Sequence, residues 1–196
     1  PASGPVKTAV VGAITSEKEQ QAERVRDYLN YLLTEKMTEY RGETEKMLFS
    51  LPLAGSAFRK VYYDPNMGRP CSMFVPAEDF VVSYGASDLV TCERATHVMK
   101  RTSNEVRKLQ VSGFYSDIEL PDPSPDTGEI ERKYNELTGD SSNYEFDHRH
   151  TILEVQAELD LVGFEDEENG EPTGIALPYV VSIDKSSRKI LSIRRN

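Results

Sequence analysis

The chain has no tryptophan and only two cysteines, Cys71 and Cys92, in 196 residues. Two thiols cannot staple a small secreted scaffold, so a disulfide framework is excluded. Positive charge is also scarce: 23 Lys and Arg stand against 33 Asp and Glu, a formal net charge of −10. A basic nucleic-acid reader needs the opposite balance, because phosphate affinity comes from a surplus of Lys and Arg. No apolar run approaches the roughly 18 to 20 residues that span a bilayer. The stretch TAVVGAI at 8–14 is too short, and it lacks the basic start of a secretory signal. Hydrophobic residues make up 38% of the chain. These absences read together as a soluble, acidic, intracellular protein with reduced thiols. The chain opens PASGP without an initiator Met and stops at Arg194-Arg195-Asn196 after an alternating run, so a fragment of a longer protein is expected.

Residues 16–51 carry the strongest pattern. Val25, Leu29, Leu32, Leu33, Met37 and Tyr40 recur at three- and four-residue steps, and Thr44, Met47, Leu48 and Leu51 continue the stripe. This predicts a helix with one apolar face. Ser16 and Glu19 have the spacing of a capping box. Gly42 is expected to bend or divide the helix, and Pro52 and Gly55 to end it. Unbroken, it would run about 50 Å at 1.5 Å per residue. A hairpin follows, with strands at 57–63 and 71–75 around DPNMGRP. Further strands are expected at 80–82 and 93–101. A short helix at 104–112 has Thr102 or Ser103 as its cap, Glu105 in its first turn and Gly113 at its exit.

Between residues 116 and 147 lie ten acidic residues against Arg132 and Lys133, a local charge of −8, with alternating Pro121, Pro123 and Pro125. This predicts an exposed insertion. Strands are then expected at 151–162, 176–184 and 188–194 as an antiparallel meander. The fold class is therefore α+β: a long amphipathic N-terminal helix, antiparallel strands, a short helix and a C-terminal β-meander. The expected division is 1–115, 116–149 and 150–196. No internal repeat is visible.

Several residues were weighed for chemistry. His148 and His150 could share a strand edge as metal ligands, but no third ligand is signalled, and a polar strand entry is the preferred reading. The run 165–171 resembles a calcium loop, yet the twelfth position from Glu165 is Ala176 rather than a closing Glu, so a solvated hairpin tip is preferred. Cys71 and Cys92 lack a CxxC or a convincing basic neighbour and read as ordinary strand thiols. Glu78 and Asp79 are the other paired carboxylates considered. Tyr62 and Tyr63, near Arg59, Lys60 and Arg69, read as packing rather than as a base-stacking platform. There is no GxxxxGK, GxSxG or HExxH. No catalytic, cofactor-binding or metal residue is assigned, no cofactor is expected, and non-enzymatic assembly work is favoured.

A series of words then carries a resemblance: LFSLPLAGSAFRKVYYD at 48–64, VPAEDFVV at 75–82, ATHVMKR at 95–101 and NEVRKL at 104–109. The series resembles the portal, or head-to-tail connector, proteins of tailed bacteriophages, podovirus-like in type. It covers residues 20–115 well and the strands after 150 acceptably. The resemblance implies a homo-oligomeric ring, usually of twelve subunits, at one capsid vertex. It implies contacts with the terminase, tail or adaptor proteins and capsid protein, and transient non-specific contact with double-stranded DNA. It places the chain in the virion, and in the host cytoplasm during assembly. Another virion or adaptor protein, or an acidic-site hydrolase, remains the alternative from the residues alone.

Overall fold

The computed structural model describes residues 4–65, 67–123, 149–168 and 171–196. Its elements form two compact units, residues 1–77 and 78–196. The class is mixed α+β, as expected from the patterning. The units do not follow the divisions expected at 115 and 149, because one sheet draws strands from both sides of that segment.

The first unit holds α1 (Ser16–Tyr31), a π turn (Leu32–Lys36), α2 (Glu39–Ala54), β1 (Phe58–Asp64) and β2 (Arg69–Val75). The cap of α1 is Thr15, not Ser16. Thr15 is extended, and its hydroxyl accepts from the Lys18 N–H at 3.4 Å. Glu17 and Glu19 complement the positive end of the helix dipole. Residues 4–8 run beside α1. The Asn30 side chain accepts from the Val6 N–H at 2.9 Å and donates to the Val6 carbonyl at 3.2 Å, copying a strand partner. Gly4 is needed there: its φ is +74°, and a Cβ would stand 2.4 Å from Asn30 Oδ1.

The long helix divides at Met37, five residues before Gly42. The Met37 N–H bonds the Leu32 carbonyl at 2.8 Å, an i+5 step, and Met37 then leaves helical geometry at φ −93°, ψ 69°. Thr34 donates back to the Asn30 carbonyl at 2.9 Å, which loosens the preceding ladder. Met37 becomes the most buried residue of the predicted stripe at 5% exposure. The chain then passes through Gly42 without a break. Pro52 does not end α2 either; the helix continues two residues past it to Ala54. Gly55 ends it at φ +75°, with its N–H on the Leu51 carbonyl.

Helix α2 closes the open edge of β2. Strand β2 pairs with β1 from Phe58↔Val75 to Asp64↔Arg69. The N–H groups of Ser72 and Phe74 instead reach carboxylates one helical turn apart: Ser72 to Glu39 at 3.3 Å, and Phe74 to Glu43 at 2.7 Å. Arg69 ties Glu39 further at 2.8 Å. Arg59 donates to Thr44 at 2.6 Å and stacks over the Tyr40 ring at 4.8 Å. Cys71, Ser72 and Val75 are buried on this strand.

The second unit is a five-stranded antiparallel sheet in the order β3-β4-β5-β8-β9, with α3 on one face. Its members are β3 (Phe80–Val82), β4 (Arg94–Thr102), α3 (Ser103–Val111), β5 (Arg149–Leu159), β8 (Leu177–Asp184) and β9 (Ile190–Arg195). The two-residue strands β6 (Glu167–Glu168) and β7 (Glu171–Pro172) pair separately. Period-two patterning puts two apolar sets on opposite sides of the sheet. Val106 of α3 packs with Met99, Tyr115, Ile152 and Leu191 on one face, while Leu177, Tyr179 and Val181 pack on the other. The segment 114–119 lies along β9. Ser116 N–H bonds the Leu191 carbonyl at 2.7 Å, and Arg194 donates to the Phe114 carbonyl at 2.6 Å. Thr102 caps α3 through a complete capping box with Glu105.

Candidate functional site

The meander places a histidine, an aspartate and a serine together beneath the start of α3. Strand β5 brings His150 two residues before Ile152, and Ile152 pairs with Asp184 at the end of β8. Both side chains are buried, His150 at 5% and Asp184 at 0% exposure. His150 Nδ1 lies 3.6 Å from Asp184 Oδ1, and His150 Nε2 lies 3.3 Å from the Ser103 hydroxyl.

Asp184 is anchored by the turn that follows it. Its Oδ2 accepts from the Ser186 hydroxyl at 2.7 Å, the Ser187 N–H at 2.8 Å and the Ser187 hydroxyl at 2.6 Å. Burial pushes this carboxyl up, but the donors of Ser187 and Ser186, helped by His150, hold it below the ordinary carboxylate range. The same turn carries Arg188 at φ +58°, with its N–H on the Asp184 carbonyl at 2.8 Å.

A cleft of about 460 Å³ opens beside this group, lined by Ser103 and His150 together with Val106, Ile118 and Leu120. Asp117 and Glu119 stand on its wall, and Asp117 pairs with Arg107. A second cavity of about 610 Å³ lies on the other side of β8 and β9, walled by Leu161, Phe164, Tyr179 and Ile193. There the Tyr179 hydroxyl donates to the Phe164 carbonyl at 3.0 Å.

His148 lies outside the described residues, and His150 is committed to Asp184 and Ser103. Among the described residues, no group of three or more His, Cys, Asp or Glu side chains could hold a metal ion. In the acidic run, residues 169 and 170 lie outside the description. The rest is a hairpin: Glu165 accepts from the Gly163 N–H at 2.7 Å, and Asp166 from the Thr173 hydroxyl at 2.9 Å. Cys71 is buried on β2, where burial pushes its thiol up and the cation of Arg69 only partly opposes. Cys92 is half-buried and donates to the Arg94 carbonyl. Burial pushes the Asp79 carboxyl up, the neighbouring Glu78 charge adds to this, and Lys100 opposes. Tyr62 carries Lys60 over its ring at 5.2 Å, while Tyr63 is 63% exposed.

The sequence marks Ser103 only as a candidate cap and Asp184 only as the end of a strand. The three residues come from three elements, and Ser103 and His150 stand 47 positions apart, so no local spacing announces them.

The first unit carries exposed apolar side chains on its helices. Leu48, Phe49 and Leu53 on α2 are 57%, 81% and 86% exposed, and Tyr28 and Tyr31 on α1 are 63% and 47% exposed. Among the described residues, no helix is long and apolar enough to cross a membrane. No protein-family model matches the chain, and no curated protein matches it.

Proposed function

We propose that the chain is a structural subunit of a tailed-phage portal ring, the conduit through which double-stranded DNA is packaged and ejected. The word series at 48–64, 75–82, 95–101 and 104–109 supports this reading. The observation that carries it is the apolar surface of α2. Phe49 and Leu53 are one helical turn apart and almost bare. Contiguous bare apolar surface of this kind marks an interaction face. A ring needs two different complementary surfaces on each subunit, and this helix face supplies one.

The chemistry of a conduit is consistent with the acidic balance. A wall that neutralised many phosphates would grip the duplex, whereas net negative charge lets it slide. ATP hydrolysis belongs to the terminase that docks on the ring; tail or adaptor proteins and the capsid protein are its other partners. The location is the capsid vertex.

Negative-stain imaging of the intact gene product tests the reading. Rings with a central hole are expected. Changing Phe49 and Leu53 together to Asp should leave dispersed subunits. Both side chains are exposed, so the change spares the unit's interior. A monomeric product, or rings indifferent to the double change, would refute the proposal.

A further inference from the structure

We propose that Ser103 is an activated nucleophile for acyl transfer from small neutral or cationic esters to water, with His150 as its general base and Asp184 as the residue that positions the imidazole. This stands apart from the ring reading and survives its failure.

Asp184 anchors the arrangement. Its Oδ2 is filled by three donors from Ser186 and Ser187, while its buried Oδ1 has no hydrogen-bond partner among the described residues and faces His150 Nδ1. A buried anion at that distance favours the tautomer with its proton on Nδ1. Nε2 then keeps its lone pair and accepts from the Ser103 hydroxyl. This is the arrangement by which a base activates a serine while a third group orients the base. The spacings of 3.6 and 3.3 Å exceed the productive hydrogen-bond range, as is common before substrate binds.

Accessibility follows the same division. Ser103 is exposed, and His150 is 95% removed from solvent. Ser103 also opens α3. The capping box engages the Glu105 N–H, while the amides of Ser103 and Asn104 have no acceptor within the helix. They sit at the positive end of the helix dipole, where an oxyanion would develop. The apolar wall of Val106, Ile118 and Leu120 suits a short acyl chain; with Arg107 paired to Asp117, the charges of Glu119 and Asp122 disfavour an anionic one.

The step balances without a redox partner. Ser103 Oγ bonds to the ester carbonyl carbon as its proton passes to His150 Nε2. The bond to the leaving alcohol breaks, and that proton passes to the alcohol oxygen. Water then attacks the acyl-serine, giving a proton to Nε2. Release of the acid returns the proton to Ser103 Oγ.

A fluorophosphonate probe on the intact chain, read by peptide mass spectrometry, tests activation. The adduct at Ser103 should form about 100-fold faster than at the exposed Ser112 and Ser116, the lower range for a positioned base. In urea the three should label alike. Hydrolysis of p-nitrophenyl acetate should fall by about the same factor in Ser103→Ala, a surface change that preserves folding. Labelling of folded Ser103 no faster than Ser112 and Ser116 would overturn the proposal. The role of Asp184 is read from the ¹⁵N shifts of His150. They should report Nδ1–H in the native chain and Nε2–H in Asp184→Asn, whose amide keeps an acceptor for the serines and turns a donor toward Nδ1. Nε2–H in the native chain would overturn it equally.

Discussion

Changing Glu43 to Gln should selectively loosen the outer edge of β2. Glu43 is 18% exposed, accepts from the Phe74 N–H at 2.7 Å and pairs with Lys46 at 2.6 Å. Gln keeps an acceptor oxygen but loses the charge. A hydrogen bond to a charged acceptor contributes about 1.5–3 kcal/mol, against about 0.5–1.5 kcal/mol for a neutral one. The loss is therefore about 1 kcal/mol, close to a 5- to 10-fold change in local opening. Amide hydrogen exchange of the intact chain measures it. Protection of Phe74 should drop by that factor, protection of Ser72 less, and protection in β5 and β8 not at all. Acid gives the same result by titration. Glu39 is held below its usual value chiefly by its bond from Arg69, against burial. For Glu43, burial pushes up, and the bonds from Lys46 and Phe74 outweigh it. Carboxyls depressed in the folded state contribute fully above the ordinary glutamate value of about 4.3, and that contribution is lost as pH falls through their folded values. Edge protection should thus be flat near neutrality and decline below about pH 4. Unchanged Phe74 protection in the Gln variant, or an equal loss across both units, would refute the reasoning.

Two further outcomes concern the second unit. Thr102→Ala removes the cap of α3 and should cost about 1 kcal/mol, seen as faster exchange in residues 103–111 before any global change. Leu191→Ala, at a side chain with 0% exposure, should destabilise the sheet by about 2–5 kcal/mol in thermal denaturation.

The strands were legible because alternation is a local signal. Residues 94–102 and 177–184 each show their buried face within a few positions. The sheet order was not, since β4 pairs with β5 across the acidic segment. The break at Met37 was hidden for a different reason. The apolar period runs through it undisturbed, and the deciding interactions are the back-bond of Thr34 and the burial of Met37. Gly42 looked the better breaker by propensity, but one glycine costs a helix only about 1 kcal/mol. The cluster beneath α3 was hidden most deeply. His150 was noticed as a ligand type, while its actual neighbours depend on a diagonal placement across two strands and on where α3 begins.

The pairing of Asn30 with Val6 has a consequence for how this polypeptide can vary. The amide meets the main chain of Val6, not its side chain, through both of these bonds, so Val6 can exchange for many other residues without losing them. Gly4 and Asn30 have no such latitude, because a methyl at the one collides with the other. Substitutions should therefore accumulate freely between two fixed points. An insertion of a single residue there would shift the carbonyl and amide out of reach and leave the Thr8 hydroxyl on the Ala22 carbonyl to hold the leading stretch to α1.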